Sequence, residues 1–420
     1  MTQPNDAPLA GLRVLDFTGT VSGSFGAMIL ADLGADLVKV ERPGSGDDAR
    51  QMMPQVEGWS TPFIALNRNK RSIAIDLKMT AGLEVAMEIA KSSDVVIENM
   101  RPGKMKALGL GFDAVSAVNP GIVYCSVSGF GQTGPLSRRP TYDAIIQART
   151  GIMSITGEQE RPPVRVGPSI IDLATGMWAA TAVLSALWRR DKLGKPQHLD
   201  VSMFDTGMTW MMLPLVQLSL SGVMPQRMGG QTPISVPADN YPTADGYMVV
   251  AILNDGIWHR FCQLAQFAEL RGNDQFATNQ ARVLNREALT DILRREFAKK
   301  TTADWLVELR KIEVPCEPVN DVAAALNDEQ AAERDIWLKS SFGPFKDRIS
   351  GVGLPIRNSG YESPRPSQDP PRLGQHTLQL LHELGYSDQR IDDLRATGAV
   401  SVDPNVPITG TVPSITAGAD

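Results

Sequence analysis

Along the first half of the chain, short apolar runs separated by glycine-rich turns alternate with stretches of helical spacing. Arg13–Phe17 reads as a strand. The Gly- and Ser-rich turn Gly19–Ser24 leads into an apolar helix over Phe25–Leu33, Gly34 stops it, and Asp36–Val40 returns as a strand. Strand, helix and strand this close together predict a parallel pair with a crossover helix. Further strands are expected at Ser72–Leu77, Asp94–Glu98 and Ile122–Val127, with a helix over Ala81–Lys91. The first half is thus an α/β domain whose mainly parallel sheet is covered on its faces.

The strongest helical pattern runs from Asp172 to about Arg190, rich in Ala, Leu and Trp and apolar on nearly every side, as in a buried central helix. Val164–Ile171 before it looks strand-like, and Gln197–Met203, after Pro196, reads as another strand. Beyond Gly222 come Pro- and Gly-rich segments, a hairpin-like stretch Pro242–Val250 containing Asp245-Gly246, and helices around Trp258–Ala268, Arg286–Lys299 and Thr302–Lys311. The expected domains are residues 1–222 as a large α/β domain, 223–327 as a smaller one, 328–400 as a return to the large domain, and 401–420 as a tail. The return carries helical patterns at Gly374–Leu384 and Ser387–Thr397. Two domains suit a chain of 420 residues, since single cores stop growing near roughly 250–300.

Composition narrows the function. With 42% hydrophobic and 21% charged residues the chain reads as globular. A formal net charge of -6 argues against nucleic acid as a partner, because that binding needs clustered Lys and Arg. Nothing in the first ten residues resembles a secretion signal, and the apolar run Met208–Leu220 is broken by Pro214 and Gln217, so no membrane partner is expected. Three widely spaced cysteines, Cys125, Cys262 and Cys316, suit a reducing cytoplasm better than a disulfide framework. Four histidines, none in a metal-ligand spacing, give no metal site.

Three patterns invite chemistry. Gly129-Phe-Gly-Gln-Thr-Gly134 has dinucleotide-site spacing, but Pro135 and Pro140 bracket a polar Ser-Arg-Arg stretch immediately after it, so a loop beside a ligand is the better reading than a phosphate-binding helix. Asp172, between the strand-like run and the long helix, reads as an N-cap. It also suits a nucleophile, since a helix N-terminus favours an ionised carboxylate. Arg42, Lys70, Arg71, Lys78, Arg101 and Lys104 fall near strand ends, either as a solvated face or as contacts for a phosphorylated ligand. Cys125 sits within a strand and reads as core.

Several strings, taken in order, resemble the class III CoA-transferases, the CaiB/BaiF type that includes formyl-CoA transferase. They are Gly11–Thr18, Leu33–Arg42, Asn67–Lys78, Asp94–Gly103, Tyr142-Asp143 with Gln147-Ala148 and Gly151, Asp172 with Thr175-Gly176, and towards the end Pro371–Thr377 and Leu384–Asp388. The resemblance implies a large Rossmann-like parallel-sheet domain built from both chain ends, a smaller α+β domain between, and two chains interlocked as a homodimer. It implies Asp172 as catalytic nucleophile, moving CoA from an acyl-CoA to a carboxylic acid through a mixed anhydride and an aspartyl-CoA thioester. Arg42 and Lys78 resemble contacts of the CoA nucleotide, Ile75 an apolar neighbour of the adenine, and Tyr142 a contact near the reacting centre; Arg101 and Lys104 join them as basic side chains. The CoA thioester is substrate, and no tightly bound cofactor is implied.

Departures from the formyl-CoA transferase pattern bear on substrate. Gly19 and Val21 stand where a His and a Gln contact ligand, Ala107 replaces a basic contact that Lys104 or Lys106 can supply, and Met228–Pro233 is shorter than the mobile glycine-run loop. Oxalate and formate are accordingly not the expected acids; succinyl-CoA or a similar short donor and a small aliphatic acid are. A racemase of the same fold needs a histidine where Thr141-Tyr142-Asp143 stands, and no histidine precedes His198. A CoA-binding protein without catalysis, with Asp172 only a cap, is the alternative of another class.

Overall fold

The structure is a computed structural model that describes residues 7–359 and 368–405. It divides into two compact units. The first comprises residues up to 150, 167–211 and the chain from 336 onward; the second comprises 151–166 and 212–335.

In the first unit, β1 (Arg13–Phe17), α1 (Ser22–Asp32), β2 (Asp36–Glu41), β3 (Lys70–Ile75), α2 (Thr80–Lys91), β4 (Val95–Glu98) and β5 (Val123–Ser128) follow in chain order. Then come α3 (Asp143–Arg149), α4 (Ile170–Leu193), β6 (Gln197–Ser202) and α5 (Met203–Trp210), and near the end α6 (Thr377–Glu383), α7 (Asp388–Ala396) and β7 (Val400–Ser401). Seven strands form one sheet in the order β7-β3-β2-β1-β4-β5-β6. All neighbours are parallel except β7, which pairs antiparallel with β3.

The register follows from side-chain alternation. Leu15 aligns with Val38 and Val96, and this row packs against α2, α6 and α7 through Val85, Ile89, Leu381 and Leu394. Val14 aligns with Leu37 and Val95, and that row packs against α1 and α4 through Leu30, Ala179 and Val183. Each such buried aliphatic side chain contributes about 1.5–3 kcal/mol, so both faces must be covered.

The second unit has a three-stranded antiparallel sheet, Cys316–Pro318, Tyr247–Ala251 and Ala238–Pro242 in that order. Thr243 N–H donates to the Gly246 carbonyl at 2.9 Å and closes the expected hairpin. Met248 and Val250 point into a core of Trp258, Phe261, Phe267, Phe297 and Trp305. Tyr247 and Val249 alternate with them on the exposed face.

Several expectations are corrected. Val164–Ile171 is not a strand; Pro168 removes a donor that a ladder requires, and the segment's last two residues already belong to the helix. The long helix starts at Ile170 and is not buried all round, since Met177, Trp178 and Trp188 are 56%, 48% and 80% exposed. Its length and composition would allow it to cross a membrane, yet Ala179, Ala180, Val183 and Ala186 pack it into the core of the first unit. The second unit begins at 212, not 223, ends at 335, not 327, and takes in residues 151–166. The tail does not start at 401: β7 reaches Ser401, and buried Asp403 pairs with Arg372. Residues 406–420 of that tail lie outside the described residues.

Candidate active site

Strand order determines where a ligand fits. From β1 the chain moves to β2 and β3 on one side, and β4, β5 and β6 lie on the other. Loops leaving β1 and β4 therefore diverge and open a crevice at the carboxyl end of the sheet. Asn99, just after β4, grips the loop after β1: Gly19 N–H donates to Asn99 Oδ1 at 2.9 Å, and Asn99 Nδ2 donates to the Gly19 carbonyl at 2.8 Å.

Below this loop lies a buried charged network. Lys39 Nζ pairs with Asp47 at 2.8 Å and donates to the Thr18 carbonyl at 2.7 Å. Lys70 Nζ pairs with Asp16 at 3.1 Å and donates to the Ser24 carbonyl at 3.1 Å. Burial pushes the Lys70 ammonium down to about 8, with Asp16 opposing and Lys39 reinforcing. For Lys39 burial also lowers, but Asp16, Asp47 and Glu41 outweigh it and the direction is up. Asp47 Oδ1 in turn accepts from Thr20 N–H at 2.9 Å, so the network sets the loop's position.

Helices α1 and α4 bring the next group to the crevice. A Cβ at Gly26 would lie 2.8 Å from the Gly176 carbonyl oxygen, and one at Gly176 would lie 2.7 Å from that of Ser22. Only glycine at both positions lets the two backbones touch, which sets the second turn of α4 against the first two turns of α1.

Asp172 is in the first turn of α4, as its third residue rather than its cap. The residue before the helix, Ser169, makes no side-chain cap. The cap comes from Asp143 at the start of α3: its Oδ2 accepts from Ile171 N–H at 2.8 Å and from Asp172 N–H at 3.3 Å. Gln147 Nε2, one turn on in α3, donates to Asp143 Oδ1 at 2.6 Å. Burial and then the Asp143 charge push the Asp172 carboxyl up to about 7. Tyr142, next to Asp143, is 74% exposed.

The remaining expected residues divide. Arg42 follows β2, Lys78 follows β3, and Arg101 and Lys104 follow β4; all four are exposed at the carboxyl end of the sheet. Arg42 donates to the Gly46 carbonyl at 3.0 and 3.1 Å and pairs with Asp48. Ile75, by contrast, is a core residue, 1% exposed and paired with Val400 of β7. Lys70 is buried, and Arg71 is held by Asp36 and Glu383, so neither belongs to a free basic face.

Beside Arg101 opens a cavity of about 430 Å³. Its wall includes Glu98, whose carboxyl burial pushes up to about 7 against hydrogen bonds from Ser126 and Met100 N–H. Ser126 Oγ lies 3.0 Å from His198 Nε2, and His198 stacks on Phe112. The other histidines are engaged or placed elsewhere: His376 Nδ1 accepts from Ser72 N–H, His382 faces Asp388, and His259 belongs to a helix of the second unit. The segment after Gly129 has no helix before α3, in keeping with Pro135 and Pro140. Among the described residues no group of three or more His, Cys, Asp or Glu is placed to hold a metal ion.

Sequence reading gave Asn99 and Asp143 no role, did not find the Gly26–Gly176 contact, and left Lys70 without its buried partner. The signals were present as Tyr142-Asp143 four residues before Gln147 and as glycines in mid-helix, but their partners lie far off in sequence.

The molecule is therefore a doubly wound α/β protein with a carboxylate in a helix's first turn and basic side chains at the sheet's carboxyl end. The family model for CoA-transferase family III matches residues 9–377. The chain is 36% identical to succinyl-CoA:glutarate CoA-transferase of Homo sapiens over 94% of its length and 90% of that protein's. It is 38% identical to acetyl-CoA:oxalate CoA-transferase of Acetobacter aceti, covering 91% of this chain and 97% of that one. A solved CAIB/BAIF family protein from Brucella suis superposes with a TM-score of 0.82 at 37% identity, covering 90% of this chain and 99% of its own. The chain belongs to CoA-transferase family III and is an acyl-CoA:carboxylate CoA-transferase.

Proposed function

We propose that this enzyme moves CoA from succinyl-CoA, or a donor of similar size, to a small aliphatic carboxylic acid, a dicarboxylate above all, with Asp172 as the covalent carrier. The observation that carries this reading is a carboxylate in the first turn of α4, the helix set against α1 where the sheet's loops diverge. An Asp172 oxygen attacks the donor's thioester carbon; the C–S bond breaks, CoA thiolate leaves, and a mixed anhydride forms. The thiolate then attacks the Asp172 carbonyl, the donor acid departs, and Asp172 carries CoA as a thioester. The acceptor carboxylate attacks that thioester, giving a second anhydride and free thiolate, which attacks the acceptor's carbonyl and restores the Asp172 carboxylate. Every step exchanges one activated acyl group for another, so excluding water preserves the thioester's free energy.

Arg42, Lys78, Arg101 and Lys104 bind the phosphates of CoA, and Tyr142 lies near the reacting carbons. Their positions after β2, β3 and β4 and beside Asp143 support this assignment. The dicarboxylate preference rests on glutarate and oxalate in the names of the two relatives. A homodimer of interlocked chains accounts for the exposed apolar side chains of both units: Met177, Trp178 and Trp188 in the first, Leu213, Val216 and Leu220 in the second. The buried free thiols Cys125, Cys262 and Cys316 suit a cytoplasmic location.

The test is covalent capture. After incubation with succinyl-CoA and hydroxylamine, a peptide containing Asp172 is expected to carry a hydroxamate, and Asp172→Asn to lose both capture and turnover. Transfer between succinate and glutarate at the parent rate by folded Asp172→Asn would eliminate the reading.

A further inference from the structure

Asp143 is 6% exposed, and the groups that donate to it are neutral: two backbone N–H groups from the first turn of α4 and the amide of Gln147. A buried carboxylate so placed is held by the helix N-terminus. One of those two backbone groups belongs to Asp172 itself. The cap and the residue it caps are therefore both acids, and they share one helix end. An ordinary cap such as Ser or Asn would satisfy the same N–H groups without placing a second negative charge beside the first.

We propose that Asp143 is a positioning residue for the transfer reaction: it fixes the turn that carries Asp172 and, through its charge, sets the pH range in which Asp172 acts as a nucleophile. The proposal rests on the reading of Asp172 as covalent carrier. Other charged groups on the elements packed against α4 contribute nothing comparable. Asp32 of α1 is paired with Arg68, while Arg149 closes α3, Asp205 lies in α5 and His198 and Asp200 lie in β6. Burial and Asp143 alone account for the upward push on the Asp172 carboxyl. A more basic carboxylate is a stronger nucleophile once ionised, and ionisation near neutral pH leaves a usable fraction at physiological pH.

Two variants separate charge from hydrogen bonding. Asn in Asp143→Asn keeps an oxygen for the two N–H groups, with the Gln147 amide turned over to accept, but removes the charge. Its kcat/KM for succinyl-CoA is expected to show the acid limb moved down by about one pH unit, with the high-pH plateau within about threefold of the parent. Asp143→Ala removes the cap too, and kcat is expected to fall roughly 10- to 100-fold with KM for succinyl-CoA within about twofold. A purely structural role would lower the melting temperature of both variants and leave the acid limb where it was. Hydroxylamine capture is read in parallel on parent and variants. If the parent is captured at Asp172 while folded Asp143→Asn keeps the parent's acid limb, the proposal fails and the carrier reading stands. If the parent is not captured at Asp172, both fall together.

Discussion

At the scale of the residue, Asp172, the carboxylate proposed as carrier, is kept at a cost to the fold. Burial first, then Asp143, push its carboxyl up to about 7, whereas in an unfolded chain an Asp titrates near ~3.9. Between those values the folded chain holds the extra proton, so stability falls as pH rises through the window, and the deficit persists above it. Replacing Asp172 by Asn removes the charge and leaves much of the shape. Asp172→Asn is therefore predicted to melt higher than the parent at pH 8, by an amount on the order of 1–3 kcal/mol, and level with it near pH 4. Thermal melts at both pH values check this; an equal gap at both would show that the charge is not the cause. Glu98, also pushed up to about 7, titrates in the same window and is unchanged in this variant, so it cancels from the comparison.

At the scale of the element, what was legible in the sequence is what local pattern encodes. Apolar runs bounded by Gly and Pro located β1, β2, β4 and β5 to within two residues, because these strands are buried on both faces, and the alternation after Pro196 located the half-exposed edge strand β6 as closely. Of the two readings of Asp172, the cap arises because the apolar run before it, Val164–Ile171, fits a strand, whereas the true cap lies 29 residues earlier in the chain. Lys70 and Arg71 looked like surface charges because Asp16, Asp36 and Glu383, which neutralise them, arrive through the tertiary fold. The same holds for Gly176, whose necessity is visible only once α1 lies against α4. Gly176→Ala would place a methyl 2.7 Å from the Ser22 carbonyl oxygen and 2.9 Å from Gly26 N. Both contacts are backbone, so the helices must separate, and a loss of about 1–3 kcal/mol is predicted. The loss is measured as a lower denaturant midpoint; because the separation displaces the first turn of α4, kcat falls with it. A Gly176→Ala protein with the parent's midpoint would mean that the helices accommodate the methyl without moving.

At the scale of the whole molecule, the apolar surface is the feature that a single chain leaves unexplained. A helix apolar on every side reads the same in sequence whether its outer face meets its own core or another chain, and α4 exposes Trp178 and Trp188 in the single chain. In the second unit, none of the residues of Met212–Ser221 is buried, although seven of its ten are apolar if Pro214 is included with Met212, Leu213, Leu215, Val216, Leu218 and Leu220. Scattered apolar side chains are ordinary on a surface, but a helix with no buried residue at all gains nothing from its apolar composition unless something covers it. The interlocked homodimer proposed above would cover both sets, and interlocking makes a kinetic prediction that ordinary docking does not. Chains threaded through one another can part only after one of them opens, so subunit exchange must proceed at an unfolding rate rather than at the off-rate of a surface contact. Two differently tagged preparations, mixed at neutral pH and 25 °C, are expected to yield no mixed dimer over hours by native mass spectrometry, and to yield it after denaturation and refolding together. Exchange within minutes in the native mixture would leave a dimer that docks without threading, and a monomer at micromolar concentration would remove the dimer altogether.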